Sequence, residues 1–297
     1  MNYIETTADT NGNAVKLYYN DYGKGNPVIL IHGWPLSSVM WEYQVPDLVN
    51  SGHRVIAYDR RGFGKSSQPW DGYDYDTMTD DLKAIIDQLK LENITLVGFS
   101  MGGGEVVRYF SRHAGAHVSK VVLIASITPY MLQTDSNPDG VPQEVFNDMA
   151  SHMQDDRISF LDDFGKTFFG VNMLHKPISN ELLGYFHMIG SMASPRATTE
   201  CAKAFASTDF RQEMQAVKVP TLIIHGDADK TVPIDATGKQ AADMISGSNF
   251  IIYDRAPHGL FYTEKERLNA DLVNFLSDEY DNNIGMVSDK VRAPQFI

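Results

Sequence analysis

The chain has 297 residues, 43% of them hydrophobic and 21% charged, with 23 glycines and 13 prolines; that composition belongs to a packed globular protein and excludes a disordered or fibrous one. Its 38 acidic against 25 basic residues give a net charge of −13, which argues against a phosphate-backbone partner, so no nucleic acid is expected. A single cysteine, Cys201, excludes an internal disulfide or a cysteine metal cluster; with no basic, apolar leader and no run of about 18 apolar residues, no membrane is expected and the location reads as cytoplasmic.

In chain order, the polar opening "MNYIETTADTNGNAV" gives way to "KLYYNDYG", which reads as an antiparallel entry strand. The runs "PVILIHG", "RVIAYDRRG", "NITLVGFS" and "KVVLIAS" follow, each a short β-branched strand ending in turn chemistry. Between the second and third of these, "YDYDTMTDDLKAIIDQLKL" sets Met78, Leu82, Ile85, Ile86 and Leu89 at helical spacing behind aspartates suited to a helix N-terminus. Such alternation predicts an α/β class with a mostly parallel, doubly wound sheet.

From about residue 128 to 216 the strand signal stops. Helical runs rich in Phe and Met replace it: "PQEVFNDMASHM", "ISFLDDFGKTFF", "NELLGYFHMIGSM" and "RATTECAKAFAS". The sheet pattern resumes with "VPTLIIHGDAD" and "SNFIIYDRAPHG", and "EKERLNADLVNFLSDEY" closes as a helix. The expected organisation is therefore one core, 1–127 with 217–280, interrupted by a helical cap, 128–216, and followed by a tail, 281–297, read as mobile.

The sharpest motif is "LVGFSMGGG", which places Ser100 between Gly98 and Gly102, after an apolar strand and before a helical run. This G-x-S-x-G pattern has the strand–turn–helix context of a nucleophile elbow. A serine in so tight a turn needs neighbours without Cβ, and the turn leaves its Oγ exposed at the N-terminus of the next helix. A hydroxyl is a poor nucleophile at neutral pH, so an imidazole must take its proton and a carboxylate must orient that imidazole.

Nine histidines compete for the role of base. His113, His117, His152, His175 and His187 lie on or beside helical stretches and His53 sits in a turn. His32 and His225 each end a strand before a glycine, where orienting the turn is the better reading. His258 alone sits on a Gly/Pro-flanked loop after the last strand, which makes it the candidate. For the acid, Asp227 and Asp229 stand two apart, and the residues themselves leave both open.

These pieces, with "HGWPLSSVMWEYQ", "YDRRGFGKSSQP", "PTLIIHGDADKTVP" and "APHGL", resemble the α/β-hydrolase superfamily over about residues 3–277, and more narrowly its cofactor-free haloperoxidases and the similar aryl esterases. The resemblance implies an α/β-hydrolase fold with a helical cap. It assigns the acid to Asp229, leaving Asp227 to cap the turn, and it implies that the backbone N–H groups of Trp34 and Met101 form an oxyanion hole. Trp34 would line the acyl pocket, and Pro35, which has no N–H, would shape the loop on the substrate side. Dehalogenases and epoxide hydrolases of this fold are similar but carry Asp at the position of Ser100.

The expected activity is hydrolysis of small carboxylic esters through Ser100, His258 and Asp229, with no metal and no cofactor. Hydrogen peroxide in place of water would turn a carboxylic ester or acid into a peracid able to oxidise halide. A slow or non-catalytic receptor on the same fold stays open because fold does not fix function. So do lactamase, acyltransferase and carbon–carbon hydrolase activities, and a homo-oligomer.

Overall fold

The computed structural model describes residues 2–277; the tail expected over 281–297, and the end of the closing helix, lie outside the described residues. Eight strands form one sheet: β1 (Tyr3–Thr6), β2 (Val15–Gly23), β3 (Pro27–Ile31), β4 (Arg54–Tyr58), β5 (Ile94–Phe99), β6 (Val118–Ile124), β7 (Thr221–Gly226) and β8 (Asn249–Tyr253). Their spatial order is β1-β2-β4-β3-β5-β6-β7-β8. The pairs β1/β2 and β2/β4 are antiparallel, and every pair from β4/β3 to β7/β8 is parallel.

Strands β3, β5 and β7 are buried at every position, which is why they read as unbroken apolar runs: helices cover both faces of a parallel sheet. Alternate residues feed two separate cores. On one face Ile29, Ile56, Leu96, Leu123 and Ile223 pack with α2 (Tyr75–Gln88) and α3 (Met101–His113). On the other, Leu30, Val55, Val97, Val122 and Ile224 pack with Trp41 and with α1 (Val45–Asn50) and α9 (Lys265–Leu276). Helix α2 starts where its aspartates predict, with the Asp74 side chain accepting the Thr77 N–H at 2.9 Å.

Three helices, α4 (Gln143–Phe168), α5 (Asn180–Met192) and α6 (Pro195–Ser207), lie between β6 and β7. Two of the expected helical runs are one element here, α4, broken at Asp156 by a non-helical conformation (φ −151°, ψ 87°). The Asp156 carboxylate accepts the Ser159 N–H at 3.0 Å, so the break doubles as the cap of the second half. The short helices α7 (Gly238–Met244) and α8 (Leu260–Thr263) frame the turns around β8. Among the described residues no helix is long and apolar enough to cross a membrane.

The junction from β5 to α3 leaves no room for a side chain at its glycines. A Cβ on Gly98 would sit 2.7 Å from the Gly102 carbonyl oxygen, and one on Gly102 would sit 2.6 Å from that of Ile31. Both obstacles are backbone, which cannot swing aside as a side chain would. Gly98→Ala is therefore expected to cost about 1–3 kcal/mol of stability, read from urea denaturation; a variant as stable as the parent would contradict this packing.

Candidate active site

Ser100 occupies the turn between β5 and α3 with φ +53° and ψ −119°. A non-glycine residue in that region costs on the order of 1–3 kcal/mol, a strain that persists only where the surroundings enforce it. Here the Ser100 N–H donates to the Ile124 carbonyl at the end of β6 (2.9 Å), and the Gly103 and Ile127 N–H groups donate to the Ser100 carbonyl. The backbone is held on three sides, and the side chain points into a cavity of about 530 Å³.

His258, on the loop after β8, meets it there: His258 Nε2 lies 2.9 Å from Ser100 Oγ. The other ring nitrogen, Nδ1, lies 2.6 Å from Asp229 Oδ2. Phe99 and Phe168 flank the imidazole, with ring centroids 5.0 and 4.8 Å away, so the ring has little freedom to turn. Asp229 Oδ1 accepts two backbone N–H groups, from Thr231 and Val232, each at 2.8 Å. Burial alone would raise the Asp229 carboxyl; the neighbouring His258 and hydrogen bonds from His225 and His258 outweigh it and hold the carboxyl well below the usual carboxylate range. Asp229 is thus an anion fixed at both oxygens.

Asp227 is placed differently. It is exposed, and its Oδ1 accepts the Arg255 N–H at 2.5 Å; Arg255 has φ +58°. Asp227 ties the turn after β7 to the turn after β8 and does not bond His258.

The loop after β3 runs beside the serine. His32 is fully buried: its Nε2 accepts the Arg60 backbone N–H at 3.0 Å, which leaves Nδ1 as the donor to the Gly33 carbonyl at 2.9 Å. Burial, reinforced by the Arg60 charge, pushes its pKa well below the ordinary histidine value and keeps it neutral. The Trp34 indole lines the cavity, with Nε1–H donating to the Thr198 carbonyl at 3.0 Å and edge-to-face contacts to Phe164 and Phe205. Neither the Trp34 nor the Met101 backbone N–H has a partner among the described residues. Pro35 follows a cis bond from Trp34. It is buried outside the lining of the main cavity, against a small void bordered by Phe164, Phe186 and Gly190, so any part it takes at the site is through the course of the loop.

Of the cap residues, Phe146, Phe160 and Phe164 line the cavity, joined by Met131, Met149 and Phe205. Phe168, Phe169 and Met153 are buried in the core, and Met188 is half exposed. Sequence reasoning missed the network behind the loop. Arg60 Nε donates to Glu105 Oε1 at 2.6 Å, and Tyr58 OH donates to Glu105 Oε2 at 2.6 Å. Its one signal is a lone glutamate within the glycine-rich and apolar start of α3.

A family model described as the alpha/beta hydrolase fold matches residues 26–265, and the chain belongs to that family of enzymes. It is 45% identical to the bromoperoxidase from Bacillus anthracis and superposes on it with a TM-score of 0.89, covering 93% of this chain and 100% of that one. It is also 39% identical over 270 residues to a non-heme chloroperoxidase of Kitasatospora aureofaciens, covering 90% of this chain and 98% of the relative. A bifunctional esterase/perhydrolase of Acinetobacter calcoaceticus is 39% identical over 279 residues, 93% of this chain and 99% of the relative.

Because the Asp229 carboxyl is depressed in the folded state, its contribution to stability is present above the ordinary carboxylate value and is lost as pH falls through the folded one. Asp229→Asn is expected to destabilise by on the order of 2 kcal/mol at pH 7, with the gap to the parent narrowing below pH 3.8. Urea denaturation at neutral and acid pH measures it; a gap that stays constant would contradict the assignment.

Proposed function

We propose that the protein is a serine hydrolase of small carboxylic esters whose acyl-enzyme also accepts hydrogen peroxide. The observation that carries this reading is the hydrogen-bonded chain from Asp229 through His258 to Ser100, opening on the apolar cavity. In the first half-reaction Ser100 Oγ attacks the ester carbonyl carbon and passes its proton to His258 Nε2. The carbonyl oxygen, now an anion, takes hydrogen bonds from the free N–H groups of Trp34 and Met101; losing one such donor typically costs about 2.7–4 kcal/mol of transition-state stabilisation. His258 then returns the proton to the departing alcohol oxygen as the carbon–oxygen bond breaks, leaving the acyl group on Ser100. Asp229, anionic throughout, stabilises the imidazolium that forms in between.

The second half-reaction reverses these roles. Water loses a proton to His258 and attacks the acyl carbon, and Ser100 leaves with that proton, giving the carboxylic acid. Hydrogen peroxide attacking in the same way gives a peracid. In solution the peracid oxidises a halide ion by two electrons to hypohalous acid and is itself reduced to the carboxylic acid. Relatives named for ester hydrolysis, perhydrolysis and halide peroxidation support one acyl-enzyme behind all three activities. The Phe- and Met-lined wall suits an apolar acyl or aryl group.

Ser100→Ala is the test. Hydrolysis of p-nitrophenyl acetate and peroxide-dependent halogenation in acetate buffer are both expected to fall by about 10⁴-fold or more. Halogenation that survives while hydrolysis is lost would rule out the shared acyl-enzyme.

A further inference from the structure

His225, at the end of β7, is a buried imidazole with no part in the steps above. It is fully enclosed, and its Nε2 lies 3.0 Å from the Val232 carbonyl oxygen and 3.3 Å from Asp229 Oδ2. Both neighbours only accept, so Nε2 carries the proton. Nδ1 is then a bare acceptor, buried without a hydrogen-bond partner. The ring cannot shift to relieve that nitrogen, because the start of α7 closes against it: a Cβ on Gly238 would lie 2.7 Å from Nδ1. Leaving a buried acceptor unpaired is costly, and orienting the turn needs only the Val232 contact. The second contact, to Asp229, asks for an explanation.

With Oδ1 saturated by two backbone N–H groups, Oδ2 is the oxygen that both imidazoles share, His258 at 2.6 Å and His225 at 3.3 Å. We propose that His225 is a positioning residue for the reaction: its Nε2–H, divided between the Val232 carbonyl and Asp229 Oδ2, sets how much negative charge Asp229 presents to His258. The inference rests on the proposed function, in which His258 is the base. An Asp229 bonded by His258 alone would hold the proton on that ring more tightly, leaving less of the ring in the neutral, proton-accepting form at neutral pH. By drawing on the same oxygen, His225 keeps His258 able to release the proton to the leaving group. The other titratable groups facing the cluster come from the cavity side: Lys230, next to Asp229, and Asp148, His152, Asp155, Asp156 and Asp163 on α4. None of them bonds Asp229 or His258.

The test compares His225→Leu, which removes the donor, with His225→Gln, which offers an amide N–H in the same direction. The acid limb of the kcat/KM profile reports the free enzyme's base. In His225→Leu it is expected to move to higher pH by about half a unit to one unit, and the plateau to fall about threefold to tenfold; His225→Gln is expected to restore both. A folded His225→Leu with an unmoved limb, or equal losses in the two variants, overturns the inference. Should His225→Leu fail to fold, ¹⁵N-histidine NMR of the unmodified protein and of Asp229→Asn decides. His225 is expected as the Nε2–H tautomer with a resonance that shifts when Asp229 is neutralised, and a proton on Nδ1, or no shift, overturns it. Failure of the proposed function looks different, because Ser100→Ala would then hydrolyse esters at the parent rate.

Discussion

Arg60 is 1% exposed, and a guanidinium cannot shed its charge to escape burial, so the fold has to surround it with acceptors. It does so with Glu105, bonded by Nε at 2.6 Å, and with the His32 carbonyl, bonded by a terminal nitrogen at 2.7 Å. Its own backbone N–H takes His32 Nε2, and Tyr58 OH occupies the remaining carboxylate oxygen of Glu105. A buried ion pair is weak evidence of net stability, but removing one partner strands a charge, so a pair so fully satisfied fixes geometry. What it fixes is the mutual position of three segments: the loop after β3, the turn after β4 and the second turn of α3. Trp34 lies two residues beyond His32, and Ser100 lies five before Glu105. The amide and the hydroxyl proposed to act on one carbonyl group are thereby tied to a single charged residue.

The same economy governs the acidic end of the site. Asp229 is held by two backbone N–H groups from its own turn and by imidazoles from two different strand ends. Asp227, two residues earlier, spends its carboxylate on the neighbouring turn and so places the loop that carries His258. Above these fixed groups the inserted helices contribute Phe146, Phe160, Phe164 and Phe205 to the wall, together with aspartates of α4. The rigid sheet ends supply the reacting groups and the insertion supplies the shape of the cavity, which is the division expected where loops on a scaffold carry function.

Much of this was legible in the residues because parallel strands buried on both faces write themselves as apolar runs, as β3, β5 and β7 do; the edge strand β8 was visible from its apolar "NFIIY" although only Tyr253 is buried. The strand β1 was not. It has four residues at the edge of the sheet, with Ile4 its one buried side chain, too little for any periodicity. The choice between Asp227 and Asp229 could not be made from spacing, since both lie in one turn and only the path of the chain decides which carboxylate faces inward; the family resemblance supplied it. The cavity wall was hidden for a further reason. Phe146 and Phe160 line the cavity from opposite sides of the break at Asp156, a non-helical conformation that no residue pattern announced. The pairing of Arg60 with Glu105 left no mark in the sequence because burial of a pair depends on both partners, which stand 45 residues apart.

In the proposed reaction, ester chemistry passes through an acyl group on Ser100. Rapid quenching of the enzyme with an excess of an activated aryl ester, followed by intact mass and peptide mapping, tests it most directly. One acyl group per chain, located on Ser100 and discharged as a peracid when peroxide is added, is the predicted result. Steady turnover of the ester with Ser100 unmodified at every time point, or with the acyl group on another residue, would contradict it.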